Sequence, residues 1–145
     1  MASARPQPTL ELRKMVDAPQ ERVFRAWTDL DQIRKWWGPG GFTLPEAQQD
    51  LREGGTYRFG MRAPDGKMHW LKGQYREIRP PERLVFTWNW DEDGAIPETV
   101  VTVQLIPIGK QTQVIVTHGP FPTEQDRNNH NMGWTSMLER LGGAA

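Results

Sequence analysis

The sequence predicts an α+β fold in which a curved antiparallel sheet wraps around a long C-terminal helix. From residue 42 to residue 119, apolar and polar residues alternate in short runs, which are separated by turns rich in Gly, Pro and Asp. This pattern is typical of antiparallel strands with one buried face and one solvent-facing face. Apolar residues recur at helical spacing in two other stretches, 17–37 and 123–141. We therefore expect two short helices after the first strand and one long helix at the end.

The N-terminal part of the chain predicts a strand followed by helical structure. Residues 9–16 alternate as an opening strand does, and Pro19 suits the first turn of the helix that follows. The pair 28–29 bends or restarts this helix, and helical spacing continues until Gly and Pro at 38–39 end it. The segment Trp-Trp-Gly-Pro-Gly-Gly-Phe at 36–42 is expected to form an irregular turn that fixes where its aromatic side chains point.

The last segment predicts a helix over residues 123–141. Thr123 with Asp126 three residues later resembles a capping box, with Asp in place of the usual Glu. The two glycines at 142–143 are expected to form the C-terminal cap. Because the first half of this helix is polar and the second half apolar, we expect only its C-terminal end to pack firmly against the sheet.

Strand and helix spacing together predict a cavity between the sheet and the last helix. Alternation along the strands turns Trp88 and His118 toward the helix. Helical spacing places Arg127 and His130 on the same side as Trp134. Aromatic residues with polar tips are numerous on these faces, which favours a ligand cavity over a dry core. The predicted lining residues are Trp36, Tyr57, Tyr75, Trp88, Trp90, Val103, Val116, His118, Arg127, His130, Trp134 and Met137.

Composition excludes several classes of function. Eighteen basic and eighteen acidic residues balance, so nothing favours binding to nucleic acid or to an anionic membrane. The absence of cysteine excludes disulfides, thiolate nucleophiles and zinc–sulfur sites. No apolar run approaches the ~18 residues of a membrane span. We expect a cytoplasmic protein with a flexible tail at 1–8 and a single domain at 9–145, and the sequence leaves its oligomeric state open.

The histidines are the candidates for acid–base chemistry or metal binding. His69, His118 and His130 lack metal-ligand spacing, so we expect no metal site and no cofactor. His118 and His130 are expected to face the cavity, either to orient a ligand or shuttle a proton, or as hydrogen-bonded histidines at its rim. His69 lies beside a turn and is expected to be exposed. No Ser–His–Asp set can be assembled, because Ser3 lies in the tail and Ser136 among core residues of the last helix.

Motifs over nearly the whole chain carry a family resemblance. They are Ala18-Pro19, Val23-Phe24, Trp27-Thr28-Asp29, Trp36-Trp37-Gly38-Pro39, Asp50 to Gly55, Gly73 to Ile78, Pro80 to Trp88, and His130 through Gly133-Trp134 with Leu138 and Leu141. In order and spacing they resemble the family of activator of heat-shock protein 90 ATPase homologues, within the START-like (SRPBCC) helix-grip superfamily. The resemblance implies the helix-grip fold with a pocket between sheet and helix. It also implies several roles, because the family includes co-chaperone domains and the superfamily includes lipid carriers and polyketide cyclases.

Three functions follow as hypotheses. The first is binding of a hydrophobic or aromatic small molecule in the cavity without covalent chemistry, since no catalytic constellation is present. The second is a co-chaperone-like role in the stress response, in which the protein regulates a heat-shock-protein ATPase through a chaperone partner. The third and weakest is a polyketide cyclase-like enzyme that uses Arg127, His118 or His130 as its polar group.

Overall fold

The computed structural model describes residues 7–144, which form one seven-stranded antiparallel sheet and three helices. The elements in chain order are β1 (Leu10–Val16), α1 (Gln20–Thr28), α2 (Leu30–Ile33), β2 (Thr43–Gln49), β3 (Thr56–Arg62), β4 (Met68–Arg79), β5 (Arg83–Trp90), β6 (Thr99–Ile108), β7 (Gln111–Gly119) and α3 (Glu124–Ala144). Most of the predicted tail at 1–8 lies outside the described residues. Within 7–144, no helix is long and apolar enough to cross a membrane.

The sheet is an open meander of six strands, which the first strand extends at one edge. Strands β2 to β7 pair in the order of the chain, and β1 adds to the free side of β7. The register between β1 and β7 runs without interruption from the pair Leu10–His118 to the pair Val16–Thr112. This confirms the predicted curved antiparallel sheet, and the helices cover its apolar face. The fold is the helix-grip fold.

The first two helices are shorter than the apolar spacing predicted. Helix α2 ends at Ile33, whereas the spacing predicted helical structure up to residue 37. The chain turns over residues 34–36 instead, because the side chain of Trp36 packs against α1. Its indole N–H donates to the carbonyl oxygen of Ala26 at 2.9 Å, and its side chain is completely buried. Aromatic residues at helical spacing therefore reflect packing here, not a continuous helix.

Helix α3 begins as predicted and ends later. The hydroxyl of Thr123 accepts from the backbone N–H of Asp126 at 3.1 Å and donates to its carboxylate at 2.9 Å, which confirms the predicted N-terminal cap. The predicted C-terminal cap at 142–143 is wrong, because α3 continues through both glycines to Ala144. Gly142 makes room for a side chain of β1: a Cβ there would lie 3.1 Å from Cε of Lys14.

The centre of the core is a continuous cluster of tryptophan rings that joins the helices to the sheet. The centroid of Trp27 lies 4.6 Å from that of Trp36 and 5.8 Å from that of Trp134 on α3. Trp37 contacts Trp134 at 5.7 Å and Trp88 on β5 at 5.8 Å. Because large aromatic side chains bury the most apolar area, this cluster fixes the position of α3 over the sheet.

Candidate functional site

A cavity of about 240 Å³ lies between the sheet and the middle of α3. Its walls come from β3, β5, α3 and the loop after α2, and it reaches the surface beside the exposed residue Asn129. We call it the aromatic cavity, because three indole rings form much of its wall. Its lining residues are Pro39, Met61, Trp88, Trp90, Asn129, His130, Gly133, Trp134 and Met137.

Five predicted lining residues border the aromatic cavity. They are Trp88, Trp90, His130, Trp134 and Met137. Four further lining residues were missed, although the sequence carried a signal for three of them. Asn129 and Gly133 precede Met137 at intervals of four, so they lie on one stripe of α3. Met61 has the strand parity of two buried aromatic residues, and only Pro39 depends on the loop conformation.

His130 is held between α3 and β5 in a single tautomer. Its Nδ1 lies 2.7 Å from the backbone oxygen of Asp126, and since a carbonyl only accepts, Nδ1 carries the proton. Its Nε2 accepts from the indole N–H of Trp90 at 3.0 Å. Burial lowers the pKa of His130, although the hydrogen bond to the Asp126 backbone and the Asp126 carboxylate oppose that shift. His130 is therefore neutral at physiological pH.

His118 carries its proton on the opposite nitrogen. Its Nδ1 accepts from the indole N–H of Trp134 at 3.0 Å, so the proton is on Nε2 and is donated to the hydroxyl of Thr99 at 2.7 Å. The Thr99 hydroxyl then donates to the backbone oxygen of Trp88 at 3.4 Å. The side chain is fully buried behind the aromatic cavity. Burial, together with neighbouring His130, lowers the pKa of His118 to about 2.

Comparison with known proteins places the chain in a family. The family model described as "Activator of Hsp90 ATPase homolog 1-like protein" matches residues 17–145. The chain belongs to that family. No curated protein matches this AHSA1-family chain by sequence.

Solved structures of bacterial proteins share the fold of this AHSA1-family chain. A protein from Chromobacterium violaceum is 30% identical with a TM-score of 0.86, and the match covers 93% of this chain and 94% of that one. An AHSA1 protein from Silicibacter pomeroyi is 28% identical with a TM-score of 0.84, covering 94% and 96% of the two chains. The similarity therefore extends over nearly the whole domain.

The other predicted aromatic lining residues of the AHSA1-family chain lie in its packed core. Trp36 donates to Ala26, the hydroxyl of Tyr57 donates to the backbone oxygen of Thr87, and that of Tyr75 donates to Gln49 at 2.6 Å. Burial raises the pKa of both tyrosines. Their polar tips thus find partners within the protein. Val103 and Val116 are fully buried in the same core and do not border the aromatic cavity.

Two polar residues of the AHSA1-family chain differ in their surroundings from what the sequence predicted. Arg127 does not line the aromatic cavity, and its guanidinium donates to the side chain of Asn128 at 3.1 Å. His69 was expected to be exposed, but its side chain is only 27% exposed. Its Nδ1 lies 3.7 Å from the Glu92 carboxylate, and its ring lies 5.9 Å from that of Phe42.

The two histidines of this site are held by hydrogen bonds within the protein. Both nitrogens of His118 and of His130 already take part in hydrogen bonds within the protein, so neither can accept a proton without losing a partner. Among residues 7–144, no cluster of three His, Cys, Asp or Glu side chains could hold a metal ion.

Proposed function

We propose that this protein binds one small, apolar, aromatic molecule in the aromatic cavity and does not change it covalently. The observation that carries the proposal is a cavity of about 240 Å³ with apolar and aromatic walls. A dry apolar cavity of ~150 Å³ holds a benzene molecule, whereas drug-sized ligands occupy ~300–1,000 Å³. The volume therefore suits a molecule of one or two rings.

The walls favour aromatic ligands in particular. Trp88 and Trp90 lie nearly perpendicular, at 84° with ring centroids 5.6 Å apart, and Trp134 lies 5.5 Å from Trp88. A flat ring in the cavity beside them would meet both faces and edges of indoles, which are the arrangements aromatic pairs prefer. The thioethers of Met61 and Met137 complete the wall and adapt to different shapes.

Gly133 offers a way to block the aromatic cavity without disturbing the core. A Cβ at this position would lie 3.8 Å from Cγ of Pro39, an ordinary van der Waals contact, so Gly133→Ala should leave the cavity open. The longer side chain of Gly133→Leu should occupy the space that a ligand would take. The two variants are a matched pair, because both replace a helical glycine with a good helix former.

Tryptophan fluorescence tests the proposal. A panel of one- and two-ring aromatic compounds that do not themselves fluoresce in the range of tryptophan emission, starting with acetophenone, is titrated into the natural protein and both variants. We expect at least one compound to quench or shift the emission of the natural protein and of Gly133→Ala, and Gly133→Leu to abolish the response. A response that persists in Gly133→Leu would contradict binding in this cavity.

The family match also supports a regulatory alternative, and the same variants separate it from ligand binding. A co-chaperone role would appear as stimulation of a heat-shock-protein ATPase that is equal for the natural protein and Gly133→Leu, together with no response to the panel. A cyclase-like activity would appear as turnover of a bound compound that His130→Ala abolishes. Either result would replace the binding function proposed here.

A further inference from the structure

We propose that the aromatic cavity selects uncharged ligands and excludes carboxylates, so that aromatic ketones and arenes are ligands whereas aromatic and fatty acids are not. This inference rests on the proposed function and names the chemical class that the cavity accepts. It is carried by the absence of a basic side chain from the lining and by the hydrogen bonds that Trp90, His130 and Trp134 already make within the protein.

Nothing in the wall neutralises an anion. The nine lining residues include no lysine or arginine. Arg127, the basic residue that helical spacing placed nearest, turns its guanidinium to Asn128 instead. A carboxylate that leaves water for an apolar site without a cationic partner or several donors pays a large desolvation penalty.

His130 does not become the missing cation. A second proton would have to sit on Nε2, where the N–H of Trp90 already donates, and two hydrogens would then face each other. The groups that face the imidazole are the backbone and carboxylate of Asp126, the neutral ring of His118 and the rings of Trp88 and Phe121. Burial lowers the pKa of His130, in agreement with this geometry.

The indole N–H groups of the wall are either hydrogen-bonded within the protein or buried. Trp90 donates to His130 and Trp134 donates to His118. The N–H of Trp88 has no partner, but surrounding atoms cover it, so it is not offered to the cavity. Asn129 is exposed at the opening, where its side-chain oxygen accepts from Gln125. The indole faces that remain carry partial negative charge, which disfavours an anion further.

Acetophenone and benzoate test the inference, because they have nearly the same size and shape and differ in charge at neutral pH. Both are titrated into the natural protein, Gly133→Leu, Asn129→Arg and its uncharged control Asn129→Gln, with binding measured by calorimetry. We expect acetophenone to bind at least ~10-fold more tightly than benzoate, since an unpaired buried charge is costly. Relative to its uncharged control Asn129→Gln, Asn129→Arg should strengthen benzoate binding more than acetophenone binding, because an added cation acts on the charge that distinguishes the two ligands.

The outcomes separate this inference from the proposed function. If benzoate binds as tightly as acetophenone and Gly133→Leu abolishes both, the cavity binds ligands but the charge selectivity is wrong. If acetophenone and the other neutral aromatics fail to bind, or bind equally to Gly133→Leu, the proposed function itself is wrong. Preference for acetophenone that Gly133→Leu abolishes supports both.

Discussion

The indole N–H of Trp134 on α3 donates to Nδ1 of His118 on β7 at 3.0 Å, in the centre of the protein. Both side chains are almost inaccessible to solvent. The bond ties the last helix to the sheet and fixes the tautomer of the histidine, whose other nitrogen donates to Thr99. His118, which suggested chemistry in the sequence, therefore helps to position α3, and the aromatic cavity lies next to this link.

The buried imidazole of His118 predicts a loss of stability at mildly acidic pH. Its pKa is lowered to about 2 in the folded protein, whereas an unfolded chain binds the proton near pH 6.5. The unfolded state thus holds more protons between these pH values. The contribution of His118 to the free energy of unfolding is therefore fully present above about pH 6.5 and is lost as pH falls. Between pH 7.5 and pH 5, the titration of His118 should lower the free energy of unfolding, measured by urea denaturation, by ~2 kcal/mol. His130 should act in the same direction.

Two measurements check that assignment. His118→Gln should show a shallower dependence of the free energy of unfolding on pH, because the group that takes up the proton is gone. If this variant does not fold, imidazole nitrogen NMR of the natural protein replaces it. The neutral Nε2–H tautomer of His118 should persist to pH 5, and a charged imidazolium at pH 6 would contradict the prediction.

Substitution of Trp134 should be among the most destabilising changes. Trp134→Ala removes ring contacts with Trp27, Trp37 and Trp88 and leaves His118 without its donor. Large-to-small changes of aromatic core residues cost ~3–5 kcal/mol. Trp134→Phe keeps part of the ring packing and loses the hydrogen bond, so its loss should be smaller. Chemical denaturation compares the two, and an unchanged midpoint for Trp134→Ala would show that the ring does not anchor α3.

Two glycines should respond in opposite ways to alanine. In Gly133→Ala the new methyl group meets only Pro39 at an ordinary distance, and the helix gains ~0.5–1 kcal/mol because glycine is a poor helix former. In Gly73→Ala the methyl group would overlap the backbone oxygen of Thr87 and approach the Tyr57 ring at 2.5 Å. That variant should lose stability or fail to fold. Thermal melting distinguishes the two, and equal melting temperatures would contradict the packing described for Gly73.

Most of the fold could be predicted from the sequence, because strand alternation and turn residues are local signals. The predictions that were wrong concern positions that are determined by contacts between residues distant in sequence. Gly142 looked like a helix end, but it lies inside α3, where it leaves room for the side chain of Lys14 on β1. The spacing of Trp36 suggested a longer α2, but its bond to Ala26 requires a turn.

The aromatic cavity was predicted less completely than the fold. Spacing tells which residues share a face of a helix or strand, but it does not tell where the packing leaves a gap. Tyr57 and Tyr75 face inward as predicted, yet the space beside them is only about 10 Å³, which is too small for a ligand. Arg127 shares the helical side of His130, but it lies beyond the lining of the cavity.

Removal of His130 should affect the cavity more than the fold. His130→Leu leaves the N–H of Trp90 without its acceptor, but Trp90 is only half-buried, so water at the opening can take that role. We expect His130→Leu to lower the free energy of unfolding by ~1 kcal/mol. His118→Leu should lower it by ~2–3 kcal/mol, because the Trp134 and Thr99 partners of His118 are buried in the core. Urea denaturation gives both values. Because the indole N–H of Trp90 then loses its fixed partner, the emission of His130→Leu should shift and ligand preference should change. Equal stability losses would show that His130, like His118, is a structural link in the core.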